Sequence, residues 1–181
     1  MRRLALLIAA PALALLAAPA GAALDQGTKA PDFTAQGARA GKVFSVHLAE
    51  QLKHGPVVLY FFPAAFTSGC NAEAHAFAEA VPEFRKAGAT VIGMSTDPVD
   101  TLAKFSQQQC AGQFAVASAP PAVVKSYDVA LGKQMQGRDI TSRTSYVIAP
   151  DGRIAFVHSD MSPAEHVTLT LAAVQKMHSS H

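Results

Sequence analysis

Apolar residues run without interruption from position 57 to position 62. A strand with one wet face alternates, and this run does not. It predicts a strand buried on both faces, as in a parallel sheet. Over residues 71–87 the period changes. Ala74, Phe77, Val81 and Phe84 recur at spacings of three and four, the apolar face of a helix. Pro82 falls inside that pattern and predicts a kink or a split. Lys86-Ala87-Gly88 predicts the stop. Residues 90–95 form the next apolar strand. Asp97-Pro98 or Asp100 then caps a helix that runs to about Gln109. Residues 114–117 read as a short strand and 122–127 as a short helix after Pro120-Pro121. Residues 131–142 are polar, contain glycine and read as a loop. Two strands, 145–148 and 153–158, flank Pro150-Asp151-Gly152, a hairpin signature. Ser162 opens a final helix to about Met177, with Pro163 at its first position. Before the first long strand, 29–33 is an extended lead-in, 37–41 a turn and 43–48 a short alternating strand. The order predicts an α/β sheet with helices on both faces and right-handed parallel crossovers.

The first residues break this pattern. Arg2-Arg3 precede an almost wholly apolar stretch to Ala18, and Ala20-Gly21-Ala22 is an A-x-A cleavage pattern. The apolar stretch is short for a spanning helix, which needs ~20 residues, and Pro11 interrupts it. Residues 1–22 therefore read as a cleavable export signal and 23–181 as one domain. The protein is expected in the periplasm or secreted, with no stable membrane insertion after cleavage. Removing Arg2 and Arg3 takes the basic residues from 15 to 13, equal to the 13 acidic ones. A mature chain without net charge gives no reason to expect a nucleic-acid partner.

The chain has two cysteines, Cys70 and Cys110. Cys70 stands where a loop containing Pro63 and Gly69 meets the start of the 71–87 helix. Unpaired N–H groups and the positive end of the helix dipole favour thiolate there. A free cysteine can also be an inert core residue. In an oxidising compartment the pair can instead be a staple, worth about 3–4 kcal/mol for a separation of this length. Glu73, one turn after Cys70, has two readings: it orients a cation near the sulfur, or it complements the dipole as a first-turn acid. The histidines His47, His54, His75, His158 and His166 are scattered without metal-ligand spacing, and no metal site is expected. Met94, Met135 and Met161 read as packing residues.

Four segments resemble the peroxiredoxins of the bacterioferritin-comigratory (PrxQ) type. They are the opening Gly27-Thr28-Lys29-Ala30-Pro31-Asp32-Phe33, the P-x-x-x-T-x-x-C signature at Pro63, Thr67 and Cys70, the stretch Val91-Ile92-Gly93-Met94-Ser95-Thr96-Asp97, and Arg143-Thr144-Ser145-Tyr146-Val147-Ile148 followed by Asp151-Gly152. The resemblance covers residues 27–174 and implies a thioredoxin-like fold with a central mixed sheet. It implies that Cys70 attacks the peroxide and becomes a sulfenic acid, with Pro63 shielding the loop and Thr67 and Arg143 bonding the peroxide oxygens. It implies no bound cofactor, and it leans towards a monomer. Many such proteins place a resolving cysteine five residues after the nucleophile; here that position is His75. Others place it on the helix after the second core strand, which makes Cys110 the resolving thiol. Both sulfurs then meet only with some local unwinding. A one-cysteine mechanism with an external thiol is the variant.

The resulting expectation is an exported peroxidase for hydrogen peroxide or organic hydroperoxides, recycled by a thioredoxin-like reductant. The rival is a thioredoxin-fold copper assembly factor using Cys70 and His75, although the chain lacks the C-x-x-C or C-x-x-x-C that such factors carry.

Overall fold

The computed structural model describes residues 23–179. The expected signal, residues 1–22, lies outside the described residues. Among the described residues no helix is long and apolar enough to cross a membrane.

A seven-stranded mixed sheet forms the centre. Its strands are β1 (Thr34–Arg39), β2 (Lys42–His47), β3 (Val57–Phe61), β4 (Thr90–Ser95), β5 (Ala115–Ser118), β8 (Thr144–Ile148) and β9 (Ile154–Ser159), in the order β2-β1-β5-β4-β3-β8-β9. Strands β3, β4 and β5 are parallel. Strand β8 is antiparallel to β3 and β9, and β1 is antiparallel to β2 and β5. Five helices accompany it among the described residues: α1 (Leu48–Leu52), α2 (Ser68–Lys86), α3 (Val99–Gln108), α4 (Pro121–Ser126) and α5 (His166–Ser179).

The unbroken apolar run of β3 has its explanation in two cores. Val57, Leu59 and Phe61 join one cluster with Leu48 of α1, Val123 and Val124 of α4, Tyr127 and Tyr146. Val58 and Tyr60, with Phe62 beyond the strand end, join the other, with Phe77 and Phe84 of α2, Leu102 and Phe105 of α3, and Val174 of α5. Helices thus cover both faces, as expected. Burying both faces removes any need for polar residues in the strand.

Several local expectations change. Helix α2 runs through Pro82 without a break. Pro82 is exposed, and the buried stripe on the opposite side holds the helix together across the missing hydrogen bond. Residues 34–39, read partly as a turn, form β1, with the turn confined to Ala40 and Gly41 at positive φ. Residues 131–142 are not a loop. They belong to a hairpin of β6 (Ala130–Met135) and β7 (Arg138–Thr141). Gln136 and Gly137 both take positive φ, the geometry of a two-residue hairpin turn. Helix α5 begins at His166 rather than Ser162, because side chains hold a turn ahead of it. The Ser162 N–H donates to Asp160 Oδ1 at 2.7 Å and the Ala164 N–H to Ser162 Oγ at 3.4 Å.

The topology decides where the chemistry sits. Strand β3 ends at Phe61, which faces Thr144 across the sheet. The loop after β3 therefore lies beside the first residues of β8. Arg143, distant in sequence from Cys70, is its neighbour in space.

Candidate active site

Cys70 is the third residue of α2 and is 2 % exposed. Thr67 is the residue before the helix, in extended conformation. Its hydroxyl donates to the Ala64 carbonyl at 3.0 Å, which ties the loop into a turn and fixes the hydroxyl next to the helix start. Pro63 is buried at the base of that loop. Phe66 takes φ 65°, a costly conformation for a bulky residue, and its ring packs edge-on to Phe105 of α3.

Arg143 spans the site with three nitrogens. Nη2 donates to Cys70 Sγ at 3.5 Å, Nη1 to Glu73 Oε2, and Nε to the Met161 carbonyl at 3.0 Å. A planar fork with fixed donors suits this division, and an ammonium does not. Gly69 leaves the room: a Cβ there would lie 3.3 Å from Arg143 Nη2. Burial pulls the guanidinium down, but Glu73 and Cys70 beside it hold it above its ordinary value. Glu73 is buried, so it is the orienting acid rather than a solvent-facing first-turn charge. Burial pushes its carboxyl up to about 7 against the pull of Arg143.

The sequence signature 63–70 and Arg143 thus come together. Cys110 is placed differently. It follows the C-terminal end of α3, is fully buried, and forms no disulfide with Cys70. Burial pushes its thiol up. Both cysteines belong to the same apolar cluster, and the phenol of Tyr60 lies within charge range of both. His75 is exposed on α2 while Cys70 is buried, so the two candidate copper ligands point to different environments.

The AhpC/TSA family pattern matches residues 26–157. The chain belongs to the AhpC/TSA family. Peroxiredoxin Bcp from Xanthomonas campestris is 31% identical over 121 residues, 66% of this chain and 76% of that protein. The crystal structure of peroxidoxin BcpB from Mycobacterium tuberculosis superposes with a TM-score of 0.74 at 31% identity, covering 84% of this chain and 97% of that one. The bacterioferritin comigratory protein of Xanthomonas campestris, described for its alkyl peroxide reduction activity, superposes with a TM-score of 0.68 at 27% identity, covering 79% and 91%. The resemblance to PrxQ-type peroxiredoxins and the thioredoxin-like fold stand, and the class is an oxidoreductase one, a peroxidase.

The structure places further residues around Cys70 and Arg143 that carry no linear signature. Asp97, expected as a helix cap, is 2 % exposed and serves the loop instead. Its Oδ2 accepts from the Ala65 N–H at 2.7 Å and the Ser95 hydroxyl at 2.8 Å; its Oδ1 accepts from Arg138 Nη2 at 2.7 Å. His166 lies behind Glu73, with Nδ1 at 3.8 Å from Glu73 Oε1 and 2.8 Å from Ser145 Oγ. A signal for Glu73 was present. It falls in the stripe Cys70, Ala74, Phe77 and Val81, and an acid in an apolar stripe needs a buried partner.

Proposed function

We propose that the chain is an exported, monomeric thiol peroxidase that reduces hydrogen peroxide or organic hydroperoxides with Cys70. The contact of Arg143 Nη2 with Cys70 Sγ at a helix N-terminus carries this reading. Cys70 as thiolate attacks one peroxide oxygen. An S–O bond forms, the O–O bond breaks, and the other oxygen leaves as hydroxide or alkoxide and takes up a proton. The sulfur is oxidised to sulfenic acid and the peroxide is reduced to water or alcohol. Arg143 stabilises the charge building on the oxygens, and the Thr67 hydroxyl joins it by turning its proton from the Ala64 carbonyl to the peroxide. Pro63, with no N–H, shields the loop without competing for them. Alkyl peroxide reduction by the Xanthomonas campestris relative supports organic hydroperoxides as substrates.

Cys110 then attacks the sulfenic sulfur. A disulfide forms and water leaves, and a thioredoxin-like dithiol returns both cysteines to thiols. Burial of Cys110 requires the turn at residues 110–113 and the first turn of α2 to open for this step. Positive φ at Ala111 supports that turn as the weaker element. The leader at residues 1–22 supports a periplasmic or secreted location.

The test adds one equivalent of hydrogen peroxide to the reduced protein, residues 23–181, and maps the product by mass spectrometry. A Cys70–Cys110 disulfide within seconds is the expected product. Sulfenic acid persisting on Cys70 beside a free Cys110 replaces the resolving role by an external thiol. An unoxidised Cys70 overturns the peroxidase reading.

A further inference from the structure

The β6–β7 hairpin takes no part in the peroxide chemistry, yet its second strand grips the loop that leads to Cys70 at two points. The Thr141 hydroxyl donates to the Phe62 carbonyl at 2.8 Å, where the loop leaves β3, and both residues are buried. Arg138 Nη2 donates to Asp97 Oδ1 at 2.7 Å, and the other oxygen of that carboxylate accepts the Ala65 N–H at 2.7 Å, midway along the loop. Arg138 Nη1 is buried without a hydrogen-bond partner, so the Asp97 contact is what offsets the burial of that end of the guanidinium. A further bond, from the Thr96 hydroxyl to the Asp139 carbonyl at 2.7 Å, fixes the hairpin to the segment that holds Asp97. The loop needs this support. Phe66, next to Ala65, sits at φ 65° with its side chain exposed. A bulky residue keeps that conformation only where its surroundings over-determine it. The edge contact with Phe105 holds the ring, and Asp97 holds the backbone on the N-terminal side.

We propose that Arg138 is a positioning residue of the peroxide-reducing site: through Asp97 it holds the 62–67 loop in the conformation that presents Thr67 to a peroxide at Cys70. The proposal rests on the peroxidase reading of this site. Asp97 is the joint. It is buried, and a buried carboxylate needs its cation. Paired with Arg138, it points inward and accepts the Ala65 N–H in a charge-assisted bond. Without Arg138 the charge is unpaired, and the carboxylate turns to solvent to recover its hydration. The Ala65 N–H then loses its acceptor, and Phe66 relaxes to negative φ. Thr67 follows directly, so its hydroxyl is displaced. Cys70 moves less, because it lies inside α2 and Arg143 reaches it from the other side of the sheet's end. Peroxide reduction needs the loop and the sulfur in register. Alkylation of the sulfur needs only the thiolate.

The experiment compares two rates of the reduced protein at the same pH. The first is the reaction of Cys70 with hydrogen peroxide in a competition assay. The second is its alkylation by iodoacetamide, with peptide mass spectrometry to separate Cys70 from Cys110. Arg138→Met should slow the peroxide reaction about 10- to 100-fold, the scale of a small misplacement, and leave alkylation within about threefold of the parent. Arg138→Lys should restore most of the peroxide rate, because Asp97 takes a single nitrogen from Arg138. A hairpin that only stabilised the fold would lower the melting temperature and leave the ratio of the two rates unchanged. A folded Arg138→Met protein with the parent's peroxide rate, or with both rates reduced alike, overturns the proposal. So does a lysine variant as slow as Arg138→Met. If Arg138→Met does not fold, the same two rates are read in Arg138→Gln, which lacks the charge. Hydrogen exchange of the parent gives an independent check: an Ala65 amide that exchanges as fast as a free peptide overturns the proposal, and a protected one supports it. A parent that leaves peroxide untouched sinks the peroxidase reading. A parent that consumes it no faster than Arg138→Met sinks this inference alone.

Discussion

Replacing Glu73 by Gln should change how stability depends on pH, and the sign follows from two opposed buried groups. Glu73 moves from an ordinary 4.5 to about 7. Between these values the folded state holds a proton that the unfolded chain does not. This stabilisation is complete below 4.5 and lost as pH rises through about 7. His166 moves the other way, from 6.5 to about 4. Between those values the unfolded chain holds the extra proton, so its contribution is present above 6.5 and lost as pH falls through about 4. Each displacement corresponds to about 3 kcal/mol at 1.36 kcal/mol per unit. Over their common range the slopes are equal and opposite, so these two groups together leave the parent nearly flat. Glu73→Gln keeps an oxygen for Arg143 and removes the titration. Relative to the parent, it should lose about 3 kcal/mol on going from pH 7 to pH 4.5. Urea unfolding at a series of pH values measures this, and the difference curve cancels the groups remote from Glu73. A variant whose stability runs parallel to the parent across that window refutes a raised Glu73.

Other outcomes follow from the same geometry. Arg143→Lys keeps the charge but cannot reach Cys70 Sγ, Glu73 and the Met161 carbonyl together; losing one charged hydrogen bond, about 1.5–3 kcal/mol, should slow the reaction of Cys70 with peroxide about 10- to 100-fold, and a rate within twofold of the parent in a competition assay contradicts the assigned role. Gly93→Ala places a Cβ 2.8 Å from Tyr60 Cζ; that ring is stacked on Phe77 at 4.3 Å and cannot retreat, so unfolding should show a loss of about 1–3 kcal/mol from overpacking.

How much the sequence disclosed depended on whether burial left a mark on residue type. Strand β3 was readable because both faces are apolar, and the stripe of α2 because one face is. The β8–β9 hairpin was readable from Pro150-Asp151-Gly152. The β6–β7 hairpin was not, since its strands are mostly exposed and polar, and its Gln136-Gly137 turn uses a residue less typical of that conformation than Asn or Asp. Cys70, Thr67, Pro63 and Arg143 carried a linear signature. Their supporting residues did not. Asp97 looked like a helix cap and His166 like one of several scattered histidines, because their partners lie on other elements and only the pairing of strands brings them near.

That pairing makes the site a gauge of register. Thr144 sits opposite Phe61, and Arg143 stands immediately before it. Side chains alternate between faces along a strand, so a one-residue slip of β8 against β3 would turn the guanidinium to the far side of the sheet and exchange the two cores. A slipped sheet could retain its strand content, but it would have no donor over the Cys70 sulfur. Alkylation of Cys70 near neutral pH therefore reports on the pairing of strands far apart in the chain, and in a refolding experiment it would separate native molecules from compact misregistered ones that circular dichroism counts as folded.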